Sequence, residues 1–207
     1  MSDDNPGPAR RVPRDEVRRR LLAEAVRAFT ENGYADARLE DIAHAAGFTK
    51  GAVYSNFGGK QELFGAILGE GAQDELATVT AELDGDAATM IDRVAQVISA
   101  RIVADTGRGQ LGLEFAARAA RDEKTREVLT PMRRAQRDTA ARSIAELTER
   151  AGTSPAVPPD LAGLILHCLT NGLVNEHLAD PEAVTADVIE RAFATVLTAL
   201  LPPHADA

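Results

Sequence analysis

Residues 48–60 read FTKGAVYSNFGGK. Thr49 suits the position before a helix, where its side-chain oxygen can accept from the free N–H groups of the first turn. A short helix over residues 50–57 follows, and Gly58-Gly59 ends it. Val53 and Phe57 are four apart, so both can anchor the same side of this helix. Lys50, Gly51, Tyr54 and Ser55 then face the other way. Lys50 and Lys60 bracket the segment, and the only other lysine of the chain is Lys124.

Working outward, Gly47 closes a second short helix expected over residues 37–46, with Leu39, Ile42, Ala43 and Ala46 on its apolar face. A longer helix is expected over residues 14–32. Val17, Leu21, Leu22, Ala25 and Phe29 form its buried stripe, and Asp15 and Glu16 sit where the helix dipole favours negative charge. Three helices, the last two joined by a tight glycine turn, have helix-turn-helix spacing. The outward set of the third helix fits a nucleic-acid duplex. Gly51 allows close approach, Lys50 and Tyr54 can reach phosphates, and Ser55 and Asn56 are short enough to touch base edges. Lys60 opens a fourth helix at the end the dipole disfavours for a cation, which makes sense if a phosphate sits there.

Charge is distributed to match. The chain carries a net charge of -9, yet residues 5–60 hold ten Arg or Lys against seven Asp or Glu. The acidity belongs to the remainder, so a basic head faces a polyanion from an acidic body. Arg10, Arg11, Arg14 and Arg18, Arg19 and Arg20 fit a DNA-contacting arm and a solvated charged face equally. One cysteine, Cys168, excludes an intrachain disulfide. The first residues lack the apolar core of a secretory signal, and the apolar run over 161–175 is too short to span a bilayer and contains His167 and Asn171. A cytoplasmic protein without a membrane partner is the expectation.

No segment alternates in the manner of a strand, so the fold class expected is all-α. The organisation expected is a disordered arm over 1–13, a helix-turn-helix domain over 14–60, a helical regulatory and dimerisation domain over 61–201, and a tail over 202–207. In the second part, helices are expected over 60–83, 86–105, 111–121, 123–151 (kinked near Pro131), 159–179, and from Asp180-Pro181 to before Pro202. Asp84-Gly85 is expected to be a turn.

The stretch RRRLLAEAVRAFTENGYADARLEDIAHAAGFTKGAVYSNFGGKQELFGAIL resembles the DNA-binding domain of the TetR family of bacterial transcriptional regulators. The matching elements are Gly33-Tyr34, Asp41-Ile42-Ala43, Ala46-Gly47, Thr49-Lys50-Gly51, Tyr54, Phe57 and Lys60, and the likeness covers about residues 14–68. The resemblance implies an all-helical homodimer that binds operator DNA, with a divergent C-terminal domain for a small effector that usually releases the DNA. It makes residues 50–57 the recognition helix, with Ala52 inside it, and makes Thr49, Tyr54 and Lys60 phosphate contacts. One departure is that Ala37 and Arg38 stand where the family usually has a Thr/Ser pair. The cap is then expected from Asp36, and a phosphate contact from Arg38.

The sequence offers no Ser/His/Asp arrangement, phosphate loop or paired carboxylates, so no enzyme, cofactor or metal is expected. His167, Cys168 and His177 fit no zinc spacing. The family places its effector among helices four to eight. Met90, Val94, Phe115 and His167 are the candidate lining residues here, and a largely aliphatic pocket suits a hydrophobic or amphipathic ligand. The helix over 159–179 is apolar nearly all round in its first three turns, which demands burial on more than one side. Leu161, Ile165, Cys168 and Gly172 on it, with Val188, Ala192 and Val196 on the last helix, are the candidate dimer interface. Such a two-fold dimer would bring two heads to successive major grooves of a palindromic operator.

Overall fold

The computed structural model describes residues 12–81, 87–150 and 154–201. The expected arm with Arg10 and Arg11, the Asp84-Gly85 turn and the 202–207 tail lie outside the described residues. Within them the chain is all-α, with nine helices and no strand: α1 (Arg14–Asp36), α2 (Leu39–Ala45), α3 (Lys50–Phe57), α4 (Lys60–Ala81), α5 (Ala87–Ala104), α6 (Thr106–Ala119), α7 (Glu123–Arg150), α8 (Pro159–Ala179) and α9 (Ala186–Leu200). They fall into two compact units that divide between Ala66 and Ile67.

The first unit is α1 to α3 with the opening turns of α4. Its core takes Leu21, Leu22, Ala25 and Phe29 from α1, Leu39, Ile42 and Ala43 from α2, Val53 from α3, and Leu63 and Phe64 from α4. Phe29, Tyr34 and Phe64 pack ring against ring, with centroids 5.0–5.7 Å apart. This trio carries the compact unit past Lys60, where the sequence reading ended the head. The α1 helix runs on to Asp36 through a break at Gly33 (φ 74°, ψ 164°) instead of stopping at Asn32.

The second unit packs α7 along α8 and α5 along α9, with α6 against α7 and α8. Met90, Ile91 and Val94 join Ile144, Leu147, Leu197 and Leu200 in one cluster, and Ala95 and Ile102 join Ile189 and Phe193 in another. On α8, Gly163 meets the α7 backbone directly. A Cβ there would lie 2.5 Å from the Arg137 carbonyl oxygen and 2.9 Å from the Ala141 nitrogen, so only glycine allows this approach.

Two further boundaries move in the second unit. The break expected over 106–110 is the first turn of α6, because the Asp105 carboxylate accepts from the Arg108 N–H at 3.1 Å and caps it. The start of α9 moves from Asp180 to Ala186. Asp180 instead holds a turn, accepting from the Ala183 N–H at 3.1 Å, while His177 Nδ1 donates to the Val184 carbonyl at 2.8 Å. His177 is thus buried and occupied in fixing that turn. Pro131 lies inside α7.

Candidate nucleic-acid interface and candidate ligand cavity

Local backbone geometry sets the first site. Gly47, at φ 80°, turns the chain between α2 and α3 in a conformation that side-chain-bearing residues rarely adopt. Val53 is fully buried and pins α3 to the core. Phe57 is half-buried beneath the Arg18 guanidinium, 4.6 Å from its ring centre. The opposite side of α3 is therefore left outward. Tyr54 is 50% exposed, the largest share among the exposed large apolar side chains. Thr49, Lys50, Gly51 and Ser55 are also exposed, and Ala52 and Asn56 are half-buried.

The polar groups on this face differ in how they are engaged. Lys50 Nζ donates to Glu40 Oε1 at 2.5 Å and stands 5.7 Å from the Tyr54 ring centre. That hydrogen bond holds the Glu40 carboxyl below its ordinary range and raises the Lys50 ammonium. Both side chains are well exposed, so the pair is weak. Ser55 Oγ and Asn56 Nδ2 both donate back to the Ala52 carbonyl, at 3.1 and 2.7 Å. Reading a base would require them to leave it.

Three expectations about caps and cations change in detail. Thr49 does occupy the residue before α3, in extended conformation, but its hydroxyl makes no capping bond. The α2 helix is preceded by Arg38, also without a side-chain cap, and Asp36 does not cap it. Asp36 is the last residue of α1, and extended Ala37 and Arg38 carry the chain away from it. Arg38 is exposed with no ion pair among the described residues, a cation beside the outward face of α3. Lys60 is not a loose cation at a helix start. Its ammonium donates to the Ala35 carbonyl at 3.0 Å and lies 4.8 Å from the Tyr34 ring centre, which ties α4 to the end of α1.

The second site is a cavity of about 610 Å³ inside the second unit, lined from α4, α5, α7, α8 and α9. Of the four expected lining residues, Val94 and His167 line it. Met90 and Phe115 do not. Met90, one turn before Val94, packs with Ile144 and Leu200, and Phe115 is buried on the inner face of α6. Six polar residues on the wall were not foreseen from the sequence: Arg133, Gln136, Thr139 and Ser143 on α7, Thr170 and Asn171 on α8. The signal present was His167 and Asn171, four apart on an otherwise apolar helix. Arg133 Nη1 donates to Asn171 Oδ1 at 2.6 Å and to His167 Nε2 at 3.0 Å. Burial, with Arg133 and Arg137 nearby, lowers the His167 pKa to about 4. The ring is therefore neutral near pH 7 and able to accept that bond.

The expected interface residues lie on a partly uncovered face. Leu161 is 43% exposed, and neighbouring Leu164 is 38% exposed. Cys168 and Gly172 are exposed on the same helix, and Ile165 is half-buried. Val188, Ala192 and Val196 are half-buried, flanking the buried row Ile189, Phe193 and Leu197. Only Ala162, Gly163 and His177 of α8 are buried in the single chain. No described group of three or more His, Cys, Asp or Glu side chains could hold a metal ion. No described helix is long and apolar enough to cross a membrane.

Comparison with known proteins agrees with this geometry. Residues 21–67 match the profile of bacterial regulatory proteins of the tetR family, and residues 87–202, more than half the chain, match that of the BetI-type transcriptional repressor C-terminal domain. The HTH-type transcriptional regulator SrpR of Pseudomonas putida is 44% identical over 54 residues, 26% of this chain and 25% of that protein. The HTH-type transcriptional activator FasR of Mycolicibacterium smegmatis is 43% identical over 58 residues, 28% of this chain and 26% of that protein. The matched stretch thus spans about a quarter of each of these curated relatives. In fold, a TetR-family regulator from Rhodococcus sp. superposes with a TM-score of 0.77 at 19% identity, covering 90% of this chain and 99% of that one. Together these findings place the chain in the TetR family, as a DNA-binding transcriptional regulator built from a helix-turn-helix head and a helical C-terminal domain.

Proposed function

We propose that this regulator is a cytoplasmic repressor that binds a palindromic operator as a homodimer and leaves it when a small effector enters the cavity of the second unit. The observation that carries the reading is the outward face of α3. Thr49, Lys50, Gly51 and Tyr54 are all exposed there, with exposed Arg38 close enough to act electrostatically on Lys50 and Glu40. In this reading Arg38, Thr49, Lys50, Tyr54 and Lys60 contact phosphates. Gly51 and Ala52 give the backbone close approach, and Ser55 and Asn56 read base edges after releasing the Ala52 carbonyl. The protein acts by binding, with no catalytic step.

The uncovered apolar stripe of α8, with the flank of α9, supports a two-fold interface with a second copy. Release follows if the effector favours a spacing of the two heads that does not fit successive major grooves. The match to a repressor's C-terminal domain favours repression, whereas the activator FasR shares the head to a similar extent. Deleting the gene decides between them. Transcription of the adjacent genes rises if the protein represses them and falls if it activates them.

A further inference from the structure

The large cavity shares its wall with a smaller one of about 140 Å³. Arg133, Gln136, Thr170 and Asn171 line both. The side chains that line only the larger chamber include Val94, Ile98, Leu147 and Phe193. The chamber is therefore largely apolar, with Thr139, Ser143 and His167 as the polar side chains that line it alone and its one charged side chain where it meets its neighbour. Arg133 is the one charged group among the described residues lining the larger chamber, and no described carboxylate comes within ion-pairing distance of it. Its hydrogen bonds go to a neutral imidazole and a neutral amide through one nitrogen, Nη1. Burial and the like charge of Arg137 press its pKa down, outweighing a smaller opposing effect of Cys168, and no described carboxylate offsets them. The Gln136 side-chain oxygen is buried on the same wall without a hydrogen-bond partner. Because oxygen and nitrogen of that amide are interchangeable, its unpartnered end can equally donate.

A partly buried guanidinium without a counter-ion destabilises a fold, whereas a carboxylate or similar oxyanion would pair with it in a forked, charge-assisted contact. We propose that the effector is an amphipathic anion, its compact oxyanion seated on Arg133 at the junction of the two cavities and its apolar body lying in the larger chamber. This rests on the cavity being the effector site.

The test uses the full chain and three eight-carbon probes below their micellar concentrations: octanoate, 1-octanol and octyltrimethylammonium. Calorimetry measures affinity for the protein and for Arg133→Met and Arg133→Lys. Octanoate is expected to bind at least about tenfold more tightly than either other probe, the size of one charge-assisted hydrogen bond. Arg133→Met should remove that preference and leave octanol binding unchanged, while Arg133→Lys should keep most of it. The melting temperature of Arg133→Met should equal or exceed that of the parent. Equal or tighter binding of octanol or the ammonium probe, or an unchanged octanoate affinity in Arg133→Met, overturns the anion and leaves the cavity as a ligand site. A marked loss of thermal stability in Arg133→Met makes the arginine structural and likewise overturns the anion. If none of the probes binds, the cavity reading fails and the anion with it.

Discussion

At the residue scale, the outward face of α3 was legible because four-residue spacing fixes which side chains point away once Val53 is buried. The engagement of each group was not legible. Lys60 looked like a misplaced cation, and only the fold shows the Ala35 carbonyl and the Tyr34 ring that hold it. Lys50 is likewise met by Glu40, ten positions away, a distance no helical spacing predicts. His167 shows the same limit. Its pKa of about 4 arises from burial and from arginines on another helix. Between pH 6.5 and about 4, the unfolded chain therefore binds a proton that the folded chain refuses. This contribution is full above pH 6.5 and is lost as pH falls toward 4. Melting curves across that window should show His167→Gln losing stability less steeply than the parent, and the two running parallel from pH 7 to 8.

At the element scale, apolar periodicity located nearly every helix, and capping geometry decided the exceptions. Asp105 starts α6 earlier than its glycines suggest, and the Asp180 turn delays α9 despite Pro181. Close packing was the other hidden term. Nothing in the run LAGLIL marks Gly163 as the point where α8 touches the backbone of α7. Gly163→Ala forces the two helices apart, because the obstructing atoms are backbone. It should cost about 1–3 kcal/mol in chemical denaturation, the usual range for overpacking, despite the better helix propensity of alanine. That contact sits on the helix pair that also carries Arg133, His167 and Asn171, so the same substitution should weaken binding of any cavity ligand.

At the scale of the whole molecule, charge asymmetry and the head motif were open to reading, since both lie in local sequence. The cavity was not, because its wall is assembled from five helices far apart in the chain. Dimerisation is a property of the same scale. Gly172 is exposed on α8, and a Cβ added there would meet nothing within 4 Å. Gly172→Arg should therefore fold normally and sediment as a monomer, whereas an intact dimer would remove α8 from the interface.

The most direct measurement is the salt dependence of binding to a fluorescent fragment of the DNA beside its own gene, for the parent, Arg38→Ala and Tyr54→Ala. Both replaced side chains are exposed, so each variant should keep its fold. The parent's affinity should fall steeply with salt. Arg38→Ala should bind more weakly, with a log–log slope shallower by about 1 for each head. Tyr54→Ala should weaken binding at every salt concentration. Parent-like affinity and slope in both variants would contradict DNA binding through the outward face of α3.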